Sequence, residues 1–150
     1  MKKAKLLWMA AVLLLPGSRV LAGEWICQNQ SNSLLRVVFL DTLKGCAVGA
    51  NGTIIHTIDG GKTWVFQKGG IGSELLAEVC FVDSLRGWIG GQRGTILHTR
   101  DGGKHWEKQE SGTSRDLYGV TFKDTSNGWA VGEYETILHT TDGGGTGLPK

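Results

Sequence analysis

Several things are missing from this 150-residue chain, and each absence narrows its function. It has no basic surplus beyond its first residues. Residues 1–22 carry four basic and no acidic side chains; removing those four from the sixteen Lys and Arg leaves twelve against fourteen Asp and Glu, a formal net charge of −2. No basic stripe remains, which argues against a nucleic-acid partner. The apolar run Leu6–Leu15 is too short to cross a bilayer as a stable helix. The three cysteines, Cys27, Cys46 and Cys80, are odd in number and lack metal-ligand spacing, so neither a closed disulfide framework nor a metal site is expected.

What is present begins with a leader. Lys2, Lys3 and Lys5 precede the apolar run, and Val20-Leu21-Ala22 offers small residues at a cleavage position. This reads as a secretory signal peptide cut after Ala22, the alternative being an uncleaved N-terminal anchor. The remaining 128 residues suffice for one domain with a core. Export permits disulfides, but Cys46 and Cys80 fall at strand positions, where buried free thiols are expected. Whether Cys27 pairs with either stays open.

The stretch Gly94–Trp106, GTILHTRDGGKHW, occurs earlier as Gly52–Trp64, GTIIHTIDGGKTW, and later as Glu135–Gly147, ETILHTTDGGGTG. The aligned aspartates Asp59, Asp101 and Asp142 are spaced by 42 and 41 residues. Phe39, Phe81 and Phe122, which open the upstream units FLDTLKGCAVG, FVDSLRGWIGG and FKDTSNGWAVG, keep the same two steps. Two markers on one period identify a repeat architecture.

Each repeat reads as four short strands. In the middle copy they are Leu76–Val82, Trp88–Gly91, Thr95–Thr99 and His105–Gln109, separated by turns at 83–87, 92–94 and 101–104. Asp and Gly supply the usual turn chemistry of 83–87. The 24 glycines and the close spacing of turns argue against helices. Four antiparallel strands in about 40 residues predict an all-β fold of β-propeller blades, with a stacked β-solenoid as the alternative. Apolar strands such as Thr53-Ile54-Ile55 and Thr136-Ile137-Leu138 predict blades buried on both faces. The expected division is a leader at 1–22, an N-terminal strand at 23–33 completing a last blade, and blades at 34–72, 73–113 and 114–150, the third incomplete.

The turn T-x-D-G-G-x-x-W has a mechanical reading. Its members are Thr57, Asp59, Gly61 and Trp64, then Thr99, Asp101, Gly103 and Trp106, then Thr140, Asp142 and Gly144. The Asp accepts hydrogen bonds from backbone N–H groups after it, the Thr adds another, and the Trp covers the turn. The pattern resembles the Asp-box of sialidases and related propellers. A repeated residue reads as scaffold; the alternative is a calcium-binding or catalytic role. His56, His98 and His139 also follow the period, so they are spread apart rather than gathered on a metal. His105 stands where the first copy has Thr63 and reads as surface variation.

The combined unit F-x-D-x-x-x-G-W-x-x-G then G-T-I-L-H-T-x-D-G-G-K-x-W resembles the photosystem II stability/assembly factor family of bacteria and plastids, from Leu34 to Gly144. This chain departs from the pattern at Cys46, in place of Trp, at Glu135, in place of Gly, and in lacking the last Trp. The resemblance implies an exported or lumenal, non-catalytic propeller without a cofactor. It would assist assembly or stability of a membrane protein complex by holding a subunit, in photosynthetic members one of the photosystem II reaction centre. Contact residues are expected on the loops joining second to third strands and on the links between blades. Asn51, Gln92, Arg93, Arg115, Glu133 and Tyr134 are the candidates, since Arg and Tyr favour interface hot spots. The competing class is a sialidase-like hydrolase using an arginine cluster from Arg36, Arg86, Arg93, Arg100 and Arg115 with the pair Tyr134-Glu135.

One further match concerns the ends. Trp64–Gln67 and Trp106–Gln109 both read W-x-x-Q, and so does Trp25–Gln28. The third repeat lacks this strand. Three readings stay open: a truncated or frame-shifted copy of a longer propeller, which would be a non-functional fragment; a homo-oligomer in which Trp25–Gln28 completes a neighbour's third blade; or an open three-blade wedge.

Overall fold

The computed structural model describes residues 32–67 and 72–145. The leader, Cys27 and the Trp25–Gln28 strand lie outside them. The described chain is all-β, three consecutive antiparallel sheets that form three blades of a propeller. Blade 1 contains β1 (Leu34–Phe39), β2 (Gly45–Gly49), β3 (Ile54–Thr57) and β4 (Val65–Phe66). Blade 2 contains β5 (Leu76–Phe81), β6 (Gly87–Gly91), β7 (Ile96–Thr99) and β8 (Glu107–Gln109). Blade 3 contains β9 (Leu117–Phe122), β10 (Gly128–Gly132) and β11 (Ile137–Thr140). Each sheet is ordered as its strands occur in the chain. The first strands β1, β5 and β9 approach one another, which makes them the near-axis edge.

The copies keep one register. Cys46, Trp88 and Trp129 pair across with His56, His98 and His139. Phe39, Phe81 and Phe122 lie opposite Gly45, Gly87 and Gly128. That last pairing revises the reading of 83–87. Gly87 is the first residue of β6 and has no left-handed backbone. It is glycine because a Cβ there would meet the Phe81 ring at 2.6 Å, as one at Gly45 would meet Phe39 at 3.1 Å. The turn itself is made by the aspartate: Leu85 and Arg86 N–H both donate to Asp83 Oδ1 at 2.7 Å. Asp41 and Asp124 hold the other two copies in the same way.

Two cores form between blades. Cys46, Val48 and Ile54 of blade 1 meet Val79, Ile89 and Leu97 of blade 2, with Phe81 and Trp106 packed alongside. Trp88 of blade 2 meets Leu117, Val120 and Ala130 of blade 3. Blade 2 is therefore covered on both sides, and every residue of β6 is buried. Blade 3 is not: Trp129, Val131 and Ile137 are exposed on the side away from blade 2. The expectation that every blade buries both faces holds for the middle one; an end blade has a neighbour on one side only among the described residues. Cys46 is buried and Cys80 half-buried, both free. Burial pushes the Cys46 thiol up to about 12 and that of Cys80 to about 11.

Candidate functional site

Two sets of residues were candidates: the acidic turns and the loops at the opposite end of the strands. In the turns, the threonine hydroxyl is the hub. Thr99 Oγ1 accepts from Asp101 N–H at 3.3 Å and Gly103 N–H at 2.9 Å, and donates to Asp101 Oδ1 at 2.9 Å. Thr57 does the same for Asp59 and Gly61, and Thr140 for Asp142 and Gly144. The aspartate then reaches forward. Asp59 accepts from Thr63 N–H at 2.9 Å and Thr63 Oγ1 at 2.6 Å; Asp101 accepts from His105 N–H at 2.9 Å and meets His105 Nδ1 at 2.6 Å. His105 is thus a second partner for the turn rather than free surface variation. The hydroxyl and backbone of Thr63 and the hydroxyl of Thr57 pull the Asp59 carboxyl down to about 2. At Asp101 desolvation pushes upward, but the His105 backbone and ring with Thr99 bring it to about 2.

The indoles cover these turns edge-on: Trp64 against Phe39 at 6.1 Å and Trp106 against Phe81 at 5.9 Å between centroids. Each carboxylate is occupied by its own turn. Among the described residues no group of three or more His, Cys, Asp or Glu could hold a metal ion. Two of the repeated histidines, His98 and His139, serve as plates: Trp88 lies between His98 at 4.5 Å and Phe122 at 3.6 Å, both nearly parallel to it. His98 Nε2 has no hydrogen-bond partner, and burial lowers the ring's pKa.

Sequence reasoning gives the W-x-x-Q glutamines no role. In the structure they tie blades together. Gln67 Oε1 accepts from Trp106 Nε1 of the next blade at 2.9 Å, and Gln109 Nε2 donates to Gly143 O of the next at 3.0 Å. The period was the available signal: a polar residue closing each complete repeat.

At the other end, the second-to-third-strand loops and the links between blades come together. Gly52 N–H donates to Glu74 O and Gly94 N–H to Arg115 O, both at 2.8 Å. Arg93 N–H donates to Asp116 Oδ1 at 2.9 Å, its guanidinium lies 3.6 Å from Glu74, and Gln92 Oε1 accepts from Leu75 N–H at 3.1 Å. Asp116 N–H and Tyr118 OH both donate to Glu133 at 3.3 Å. The Arg115 guanidinium stacks 4.4 Å above the Tyr134 ring. Gln92, Arg93, Arg115, Glu133 and Tyr134 are therefore one connected patch. Asn51 occupies the matching turn of blade 1, with the Glu74 backbone bonded to the adjacent Gly52.

Three of these side chains are raised on left-handed backbone: Asn51 at φ 56°, Arg93 at 54° and Tyr134 at 51°. Glu135 follows at φ 59°, where Gly52 and Gly94 stand in the other copies at 63° and 67°. The other arginines of the hydrolase reading take acidic partners of their own: Arg36 pairs with Glu78, Arg86 with Asp83 and Arg100 with Glu107.

The model of the photosynthesis system II assembly factor YCF48 family matches residues 20–110 and 71–148. The chain belongs to that family. Among solved structures, YCF48 bound to a D1 peptide shares 26% identity with this YCF48-family chain at a TM-score of 0.69, over 77% of it. YCF48 from Cyanidioschyzon merolae shares 18% at a TM-score of 0.65, over 75% of it, a likeness of fold. In both cases the chain spans 39% of the relative's length. No curated protein matches.

Proposed function

We propose that this chain is a non-catalytic assembly factor that binds a subunit of a membrane protein complex, in a photosynthetic host the D1 protein of photosystem II. The basic start and apolar run before Ala22 support export, to the periplasm or the thylakoid lumen. Family membership supports the class of role, and the structural relative carrying a D1 peptide supports the class of ligand.

The observation that carries the reading to particular residues is the Arg115–Tyr134 stack beside Arg93. Tyr134 is 79% exposed although its backbone sits in a region that disfavours L-residues. A conformation with that cost, displaying an aromatic ring under a guanidinium, suits recognition better than solubility. Arg93 and Arg115 offer donors to a carboxylate or to backbone carbonyls. Glu74, Asp116 and Glu133 fix the loops and leave the tyrosine face outward.

Titration of a labelled D1 peptide tests this. Tyr134→Ala and Arg115→Ala are each expected to weaken binding about tenfold or more. Arg86→Ala, at the other end of the blade, is expected to leave it unchanged. Equal binding by all three variants would refute the placement.

A further inference from the structure

The boundary between blades 2 and 3 opens into a cavity of about 530 Å3 lined by Ile96, Gln109, Phe122, Leu138 and Gly144 among others. The repeat says what it is shaped for. In blade 2, Trp106 rests against Phe81 at 5.9 Å, lies over Gly103 and donates to Gln67 of the preceding blade. The counterparts of Phe81, Gly103 and Gln67 are Phe122, Gly144 and Gln109, and all three line the cavity. It matches the place of an indole, where the Gln109 amide lies against Gly144 and donates to Gly143 O, and the third repeat has Gly147 where the others have Trp64 and Trp106. Beside it, β11 pairs with β10 on one side only among the described residues.

A second observation lies on the far side of blade 3. Trp129 stacks on His139 at 4.7 Å as Trp88 stacks on His98, and it is 39% exposed. On Trp88 the opposite face is covered by Phe122 of the following blade. The same chain displays the matching ring at its other end. Phe39 holds the register of Phe122 and Phe81, which both reach back to the preceding blade, and it is 48% exposed.

We propose that the open side of blade 3 receives a second copy of this chain. The Trp25–Gln28 strand of that copy pairs with β11 and sets Trp25 in the cavity, while its Phe39 covers Trp129. The sequence W-x-x-Q is that of the strands which fill this place in blades 1 and 2. The new contact repeats the boundary between blades 2 and 3 and so requires no new chemistry. Each contact is head-to-tail, and two copies closing on each other satisfy both of their open ends. This inference concerns assembly and is independent of what the loop patch binds.

Register supplies a direct test. Leu97 pairs with Lys108 in blade 2, so Cys27, the counterpart of Lys108, should lie opposite Leu138, the counterpart of Leu97. Protein purified from the full reading frame is expected to sediment as a dimer. The Leu138→Cys variant, oxidised with copper phenanthroline, is expected to form a disulfide between Cys27 of one chain and the introduced cysteine of the other. That product migrates as a dimer without reductant. Trp25→Ala is expected to weaken the dimer about tenfold or more. A monomer at roughly 100 μM overturns the proposal. So does a disulfide within one chain, which would make the chain's own strand the occupant, and so does an open-ended polymer. A dimer that fails to cross-link places the interface elsewhere and equally refutes it.

Discussion

Blades 2 and 3 share a register and a fold yet differ in burial. β6 is buried along its whole length, whereas β10 alternates between buried and open. Trp88 and Trp129 occupy equivalent places and stack on equivalent histidines, but one is 0% and the other 39% exposed. The repeat therefore sets backbone and register, and the neighbour decides what a side chain contributes. Such arrays gain much of their stability from contacts between adjacent units.

Paired substitutions probe that difference. Trp88→Ala removes a fully buried indole with a ring on each face and its hydrogen bond to Gly143 O, and should cost ~3–5 kcal/mol in urea unfolding. Trp129→Ala should cost the monomer no more than ~1 kcal/mol, in line with partly exposed positions. Similar losses would mean that the open face is covered.

Next in size are the hubs of the acidic turns. Thr99 is buried and its hydroxyl serves two N–H groups and Asp101, so Thr99→Ala should cost ~1–3 kcal/mol. The more open Thr140 should give a smaller loss, measured the same way. If Thr140→Ala proved the more damaging, local bonding rather than burial would dominate the turns.

A change of opposite sign comes third. Glu135 holds a left-handed conformation that costs an L-residue ~1–2 kcal/mol, so Glu135→Gly should raise the thermal midpoint. Gly94→Glu should lower it by more, because a Cβ there would run into the Thr113 carbonyl and Ser111. Blade 3 tolerates a side chain at this turn because no further link crosses beneath it among the described residues.

The smallest effect is a pH dependence. Asp59 and Asp101 have folded pKa values of about 2, below the ordinary 3.8. The folded state binds fewer protons than the unfolded chain between those values. Their contribution is thus present above about pH 4 and fades as pH falls toward 2. Both aspartates are only half-buried, and solvent screening keeps the effect modest. Asp59→Asn should flatten stability against pH in this window, and a slope identical to wild type would assign the acid sensitivity to other groups.

Much of this was readable from residues alone. The period gave three blades, and alternating turns and short apolar runs placed their strands, because those features are local. Asp59, Asp101 and Asp142 could be matched to their turns for the same reason: the donors lie within four residues. Most of what could not be read crosses between repeats. Nothing local distinguishes Trp88 from Trp129, since the difference is a Phe122 ring contributed by the next blade. Gln67 and Gln109 look like ordinary polar strand ends because their partners lie in the following repeat. Gly87 reads as a turn residue, whereas its reason is the Phe81 ring across the ladder. The loop patch was visible as variable positions, but the Arg115–Tyr134 stack joins residues that only the fold brings together.

The glutamine ties have a consequence for how such a chain can change length. Each link runs forward from the last strand of one unit to the turn of the next, and both of its ends belong to the repeated pattern. A unit that keeps its closing glutamine can consequently be followed by another without redesign at the joint. Whole units can be gained, lost or exchanged by recombination at the period, while a deletion of half a unit would leave a donor facing the wrong wall.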